Sequence, residues 1–349
     1  MVVADRLEVV DPTRFPGWDE RLACHPDATV FHTSAWARLL LETYAYLPKY
    51  FTFIEQDRLV GLLPFMEIRS WITGTRGVSL PFTDASAPIL PAGFGFEEAM
   101  AQVIALAESR GWRTVEIRGR IPEMENLPAS AEYLSHDLDL TGGESLLFSR
   151  YRPNVHRNIR KAEREGISVS EDNTAEGLRE FYQLNCLTRR EHGLPPQPIR
   201  FFEHLKEYVL EKELGFLMMA RHKKKAIAGA IFLLFGGKAV FKYGASDRRY
   251  QEFRANNLVF RDAIRHLCGK GVRTLSFGRT DMFHEGLRQF KLSWGTTTSM
   301  LRYVKYDVRS KSYLGGTPTH QPTSWKRTMS KLPIPVLRII GNVAYRHIG

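Results

Sequence analysis

Two stretches of this 349-residue chain, far apart in sequence, spell the same local structure. Ala105 to Ile117 (ALAESRGWRTVEI) aligns with Arg265 to Phe277 (RHLCGKGVRTLSF). In both, a helical period runs into a glycine, Gly111 or Gly271, and then into the alternating apolar pattern of a half-buried strand. Further upstream, Arg58 to Phe65 (RLVGLLPF) resembles Lys225 to Phe232 (KAIAGAIF). Around each match the periodicities follow one order: helices, an antiparallel hairpin, a strand, a helix, and a strand beside the first. Two copies of one α/β unit are therefore expected.

The chain in order supports this. Residues 5–10 read as a strand, and 18–23 and 34–44 as helices, the second capped by Thr33 or Ser34. Residues 50–55 and 59–68 form a hairpin turning at Gln56-Asp57-Arg58; 78–82 is strand-like and ends at Thr83-Asp84. Helix 96–110 and strand 115–118 complete the first copy, and 130–140 returns to extended structure. The second copy has helices at 154–166, 175–192 and 199–210. A hairpin of 215–220 with 227–234, a strand at 239–243, a helix at 256–269 and strands at 273–277 and 300–306 follow. The boundary falls near Thr141-Gly142-Gly143, giving domains 1–142 and 143–309. Residues 310–325 read as a linker, and 310–349 as a whole as linker and basic amphipathic tail.

A length of 349 residues suits two cores. The formal charge of +11 points to a polyanionic partner such as nucleic acid, anionic lipid or a phosphorylated substrate. Cys24, Cys186 and Cys268 are scattered, which argues against zinc and disulfide frameworks. The acidic start MVVADRLEVV lacks the pattern of a signal peptide, and no apolar run is long enough to cross a membrane. A cytoplasmic protein is expected.

Chemistry is densest from Gly271 to Gly295. A strand ends at Gly278, a loop gathers Arg279, Asp281, His284 and Glu285, and Phe290-Lys291 precedes Trp294-Gly295. Four cations, Arg157, Arg160, Lys161 and Arg164, recur at spacings of three and four and so share a helix face suited to phosphate. Glu163 and Glu165 alternate with them, so a solvated, salt-bridged helix is the other reading.

An antiparallel meander followed by helix and strand is the order of acyltransferase domains of the acetyltransferase (GNAT) type. The second copy resembles the FemAB family, tandem-GNAT transferases that add amino acids to peptidoglycan precursors from aminoacyl-tRNA. Arg157 to Gly166 is similar to the family's basic helix, and Phe241-Lys242-Tyr243-Gly244-Ala245-Ser246 to its YYGAS strand. Gly271 to Gly278 is similar to its GYxxYDFGG strand, and Glu285-Gly286-Leu287 through Phe290-Lys291 and Gly295 to its EGLYRFKxGFG element. Arg279 stands where the family has a second glycine. The tail, from Trp325-Lys326-Arg327 to Ala344-Tyr345-Arg346-His347-Ile348-Gly349, is similar to that of FemAB-like proteins of exosortase/PEP-CTERM and exopolysaccharide loci.

The resemblance implies two GNAT-like domains, each a mixed, mostly antiparallel sheet flanked by helices, with the second catalytic and the first binding the acceptor. Lys291, beside Phe290, would stabilise the oxyanion formed when an amine attacks an ester or thioester carbonyl. Asp281, Glu285, His284 or Asp247 would help take up the proton of the attacking ammonium. Tyr243 would donate a hydrogen bond from its strand end, and Asp84 would touch the acceptor. Residues 248–257 occupy the place of an acetyl-CoA pyrophosphate loop but contain no glycine, so Arg254 and its neighbours are expected to grip another polyanion, with Asn256 capping the helix. The expected function is amide-forming acyl or aminoacyl transfer to an amine of a cell-envelope precursor or exopolysaccharide. No resident cofactor is expected; aminoacyl-tRNA, acyl-CoA or acyl carrier protein would be the donor. The rivals are N-acylation of an amino sugar and a non-catalytic scaffold binding tRNA or membrane. The basic tail would lie on an anionic membrane or pack back on the second domain.

Overall fold

The structure, a computed structural model, describes residues 7–91, 93–119, 121–316 and 324–349. It divides into two compact units, one of Met1–Tyr133, Met300–Thr319 and Ala344–Gly349, the other of Leu134–Ser299 and His320–Val343. The elements in order are β1 (Glu8–Val10), α1 (Trp18–Ala23), α2 (Ser34–Tyr44), β2 (Leu47–Glu55), β3 (Arg58–Ile68), β4 (Arg76–Val78), α3 (Phe96–Ser109), β5 (Thr114–Gly119) and β6 (Ala129–Asp139). Then come α4 (Gly143–Arg150), α5 (Pro153–Arg164), β7 (Ile167–Glu171), α6 (Ala175–Glu191), α7 (Ile199–Leu205), β8 (Gly215–His222), β9 (Lys225–Phe235), β10 (Lys238–Ser246) and α8 (Ala255–Gly269). The last are β11 (Thr274–Asp281), α9 (Glu285–Leu292), β12 (Thr297–Asp307), β13 (Ser312–Leu314), α10 (Ser324–Met329) and α11 (Ile334–Ile348).

The unit boundaries differ from a division at 142 and 309 because they fall inside β6 and β12. β12 pairs antiparallel with β5, from Arg302↔Gly119 to Asp307↔Thr114, which assigns its second half to the first unit. Part of the expected linker is also structured, since β13 pairs with β12. Residues 5–6 of the first expected strand and 317–323 of the linker lie outside the described residues.

Local chemistry explains the repeat. In both copies the helix ends with the same pair of hydrogen bonds around a left-handed glycine. Gly111 (φ 66°) and Gly271 (φ 70°) donate to Glu108 and Cys268, while Trp112 and Val272 donate to Ala107 and Leu267. This Schellman cap needs φ > 0, which glycine adopts at least cost. Trp112 and Val272 are then buried, and each leads into its strand, β5 or β11. The β2–β3 turn is left-handed at Gln56 and Asp57, matching the twist of a tight hairpin. Thr33 caps α2 by accepting from the Trp36 amide at 3.2 Å.

Each unit has its own core. Phe51, Phe65, Phe96 and Trp112 anchor the first; Phe216, Phe232, Phe260, Phe277 and Trp294 anchor the second.

Where two parallel strands meet, the copies differ. In the second, β10 and β11 pair only from Lys238↔Thr274 to Val240↔Ser276. Beyond a bulge at Phe241/Tyr243, β10 continues along β9 to Ser246, while β11 runs on to Asp281. The two strands therefore part. In the first, β4 stops at Val78 rather than extending to Phe82, because Leu80 (φ 53°) and Phe82 (φ 61°) leave the β region. Its continuation is bonded back across β5: Ser79 N–H donates to Glu116 O (2.8 Å), Ser79 Oγ accepts from Arg118 N–H (2.7 Å), and Ser86 N–H donates to Arg118 O (2.6 Å).

Candidate active site

Lys291 sits where β10 and β11 diverge. Contrary to the expectation that Gly278 ends the strand, β11 passes through it with φ 71° and goes on to Asp281. Successive carbonyls of a regular strand point to opposite sides. A left-handed glycine breaks that alternation, and both Gly278 O and Arg279 O accept from Lys291 Nζ, at 2.8 and 3.0 Å. The side chain is 2% exposed, so its ammonium is fixed at the bend rather than swinging in solvent. α9 delivers it there. His284 caps the helix by accepting from the Leu287 amide at 3.2 Å, and Lys291 follows two turns later. Beside it, Phe290 packs edge-on against Phe260 at 5.4 Å, and Trp294 against Tyr151 at 4.9 Å.

One neighbour of Lys291 escaped the sequence reading. His136 on β6 is fully buried, with Nδ1 3.2 Å from Thr298 Oγ1 and Nε2 without a hydrogen bond among the described residues. Burial, then the Lys291 ammonium and the Arg288 guanidinium, push its pKa down to about 4. A neutral imidazole beside a fixed cation is the result. Its signal was present in the sequence: Leu134, His136, Leu138 and Leu140 share one phase of a period-two pattern, and all four are buried.

The cations of α5 converge with Arg254 on one cleft of about 850 Å³, walled by Phe148, Tyr151 and His156. Arg157, Arg160, Lys161, Arg164 and Arg254 all line it, and among the described residues no carboxylate does. Glu163 is turned away, paired with Arg261 at 3.0 Å. The N-terminus of α8 opens at Arg254, itself left-handed (φ 58°), so backbone amides and the helix dipole add to the positive field. Asn256 does not cap this helix; it lies in the first turn with its side chain exposed, and the cap residue is Arg254.

The other expected residues are distributed as follows. Asp281 is exposed at the end of β11, where its carbonyl accepts from the His284 amide. Arg279 and Asp281 thus belong to a strand, and Glu285 to a helix, not to one loop. Glu285 accepts from Gln289 Nε2 at 2.6 Å, a tie within α9. Asp247 is buried and its carboxylate receives Arg249 Nη2 at 2.6 Å and the Arg249 amide at 3.1 Å, which shapes the turn at Arg248–Phe253. The Tyr243 ring packs edge-on against Phe201 and Phe202 at 5.8 and 5.5 Å. Asp84 lies in the first unit, where its carbonyl accepts from Tyr303 Oη at 2.7 Å.

Comparison with known proteins agrees with this architecture. The sequence profile described as "Acetyltransferase (GNAT) domain" matches residues 149–292. A lipid II:glycine glycyltransferase of Staphylococcus epidermidis is 33% identical over 136 residues, covering 37% of this chain and 31% of the relative. That of Staphylococcus haemolyticus is 28% identical over 111 residues, covering 30% and 25%. The chain thus spans about a third or less of the length of these curated relatives. Among solved structures, FemX superposes with a TM-score of 0.67 at 14% identity, covering 81% of this chain and 94% of FemX. A tandem GNAT protein of the clavulanic acid pathway gives 0.54 at 12% identity, covering 86% and 98%. The repeated unit and the parted strands of its second copy thus agree with a tandem-GNAT fold, in which residues 149–292 match the acetyltransferase (GNAT) domain and part of the chain is similar to lipid II:glycine glycyltransferases.

Proposed function

We propose that the protein is an amide-forming aminoacyltransferase acting on an amine of a lipid-linked cell-envelope precursor at the inner face of the cytoplasmic membrane, with aminoacyl-tRNA as donor. The observation that carries this reading is the buried Lys291 ammonium, fixed at the point where β10 and β11 part. In the reaction, the acceptor nitrogen attacks the ester carbonyl of the donor. The new C–N bond forms, the C–O bond to the terminal ribose breaks, and the ribose oxygen leaves as a hydroxyl after taking a proton. Negative charge grows on the carbonyl oxygen between these events. A cation already in place stabilises it with little reorganisation. The acceptor ammonium must first lose a proton, and Asp281, exposed at the end of β11, is the base in this reading. His284 and Glu285 serve α9, and Tyr243 shapes the wall of the parted strands.

The five-cation cleft supports an RNA donor over acyl-CoA. A coenzyme A pyrophosphate needs a glycine-rich loop that brings amides close, whereas Arg248–Phe253 carries side chains throughout and Arg254 occupies the left-handed position. A continuous cationic face along α5 suits an extended phosphate backbone. In this reading the first copy receives the acceptor, with Asp84 at its strand end, and no resident cofactor takes part.

The test is transfer itself. The protein is incubated with radiolabelled aminoacyl-tRNA, or with acetyl-CoA or acyl carrier protein thioesters, and with lipid-linked envelope precursors or amino sugars as acceptors. The product mass is then read. An aminoacyl increment from tRNA is expected. Turnover from the thioesters alone would replace this reading with N-acylation, and salt-sensitive tRNA binding without any transfer would make the chain a scaffold.

A further inference from the structure

The chain's last acidic residue is Asp307, and Ser324 to Gly349 carries Lys326, Arg327, Lys331, Arg338 and Arg346 with no acidic side chain. Two helices fold within this stretch, and one side of them is committed to the second unit. Leu337 is fully buried. Gly341 sits so close to Pro196 that a Cβ there would meet its carbonyl oxygen at 2.0 Å, and Gly193 approaches the Lys326 backbone nearly as closely. Arg338 lies 5.4 Å over the Tyr182 ring. Up to Val343 the tail therefore packs on the second unit, one of the two expectations for it, whereas Ala344–Gly349 belongs to the first, where Tyr46 Oη donates to Tyr345 O at 2.8 Å.

Among the described residues, the other side of the same helices is left exposed. Val336, Ile339 and Val343 recur at spacings of three and four on α11 and are 41%, 66% and 58% exposed; Trp325 on α10 is 45% exposed. Single exposed apolar residues are ordinary. A stripe of them at the helical period, on a stretch whose charged side chains are all cationic, is the pattern of a helix lying in a membrane interface. α11 has 15 residues, about 22 Å at 1.5 Å per residue, which is short of the roughly 30 Å hydrocarbon core. Such a helix lies flat on a bilayer. We propose that the exposed residues from α10 through α11, the apolar Val336, Ile339 and Val343 together with the cationic Lys326, Arg327 and Lys331, dock on an anionic lipid surface. Charge complementarity selects the anionic leaflet, and the apolar stripe selects a bilayer over RNA, whose backbone offers nothing to Ile339. The inference rests on the proposed lipid-linked acceptor for its purpose, since docking would hold the enzyme where that acceptor is.

The test is co-sedimentation of the full chain with vesicles of phosphatidylcholine alone and of an equal mixture with phosphatidylglycerol. Binding to the mixed vesicles only, weakened about tenfold or more in I339D/V343D and in K326E/R327E, is expected. Both pairs are exposed, so circular dichroism should show the fold intact. Wild-type binding by I339D/V343D, no binding by the wild type, or a K326E/R327E defect seen with tRNA but not with vesicles would each overturn the proposal. Transfer to a water-soluble acceptor analogue separates the two readings. It should be unchanged in I339D/V343D, whereas vesicle binding without any transfer by the wild type would sink the enzymatic reading and leave the docking face standing.

Discussion

The two copies share a helix cap, a hairpin and a parallel pair of strands, yet they have put the end of that pair to opposite uses. In the second copy β10 and β11 part after three residue pairs, and a lysine is fixed at the fork. In the first, Ser79 and Ser86 lace the chain back onto β5. Its buried charge sits elsewhere: Glu67, 1% exposed, accepts from Arg69, from the Arg110 guanidinium and from Trp112 Nε1 at 2.8 Å. Those donors outweigh burial and hold its pKa down to about 2. One duplicated framework thus supports a structural ion cluster in one place and a lysine bonded to two strand carbonyls in another. The difference lies in whether the strand ends are bonded together.

Removing the charge at each centre gives the sharpest contrast. Glu67→Ala leaves the Arg110 guanidinium and the Trp112 indole without their acceptor and should cost about 3–5 kcal/mol of stability. Urea unfolding measures this, while transfer per folded molecule should stay at the wild-type rate. A stable Glu67→Ala protein that has lost transfer would assign chemistry to the first copy. Lys291→Ala should do the reverse, lowering kcat by about 10²–10³ with a smaller loss of stability, about 1–3 kcal/mol for two orphaned carbonyls. Both are compared at a temperature where each variant is folded. Wild-type turnover in Lys291→Ala refutes the assignment.

A weaker effect is expected at the cleft. The double variant R157A/R254A should raise KM for tRNA and flatten the dependence of log affinity on log salt by about 0.7–0.9 for each phosphate no longer neutralised. Arg58→Ala, which removes an exposed cation at the start of β3 in the first copy, should leave that slope as it was. Equal effects from both would mean that net charge, not the cleft, attracts the donor.

His136 gives the smallest signal. Its pKa lies below the ordinary 6.5, so the unfolded chain takes up a proton that the folded chain refuses. Its contribution is whole above pH about 6.5 and is lost as pH falls towards about 4. Urea midpoints at pH 7 and pH 5 should differ less in His136→Gln than in the wild type. An unchanged difference would show that the imidazole is not held neutral beside Lys291.

Local rules carried most of the fold into the sequence. The Thr33 cap, the Gln56-Asp57 turn and the paired glycines Gly111 and Gly271 each act over a few residues and can be read there. Lys291 was singled out by its neighbours in sequence, and the cationic face was legible from a spacing of three and four. What failed depended on distance. A glycine inside a strand reads as an end, yet Gly278 is a bend, because the strand continues beyond it and the lysine of a later helix satisfies its carbonyls. Asn256 looked like a cap because its side chain suits one, but the helix begins one residue earlier, after a left-handed arginine. The unit boundaries were hidden in β6 and β12 because strand alternation says nothing about which partner completes a sheet.

That last point bears on how the protein is made. The first unit borrows β12 from residues far down the chain, so β5 emerges from the ribosome long before its neighbour exists. For that interval β5 has an open edge, a hazard for aggregation. The second unit, by contrast, has all its strands by Ser299. Synthesis runs from one end to the other, but the sheet of the earlier copy gains β12 only after the strands of the later copy have all been made.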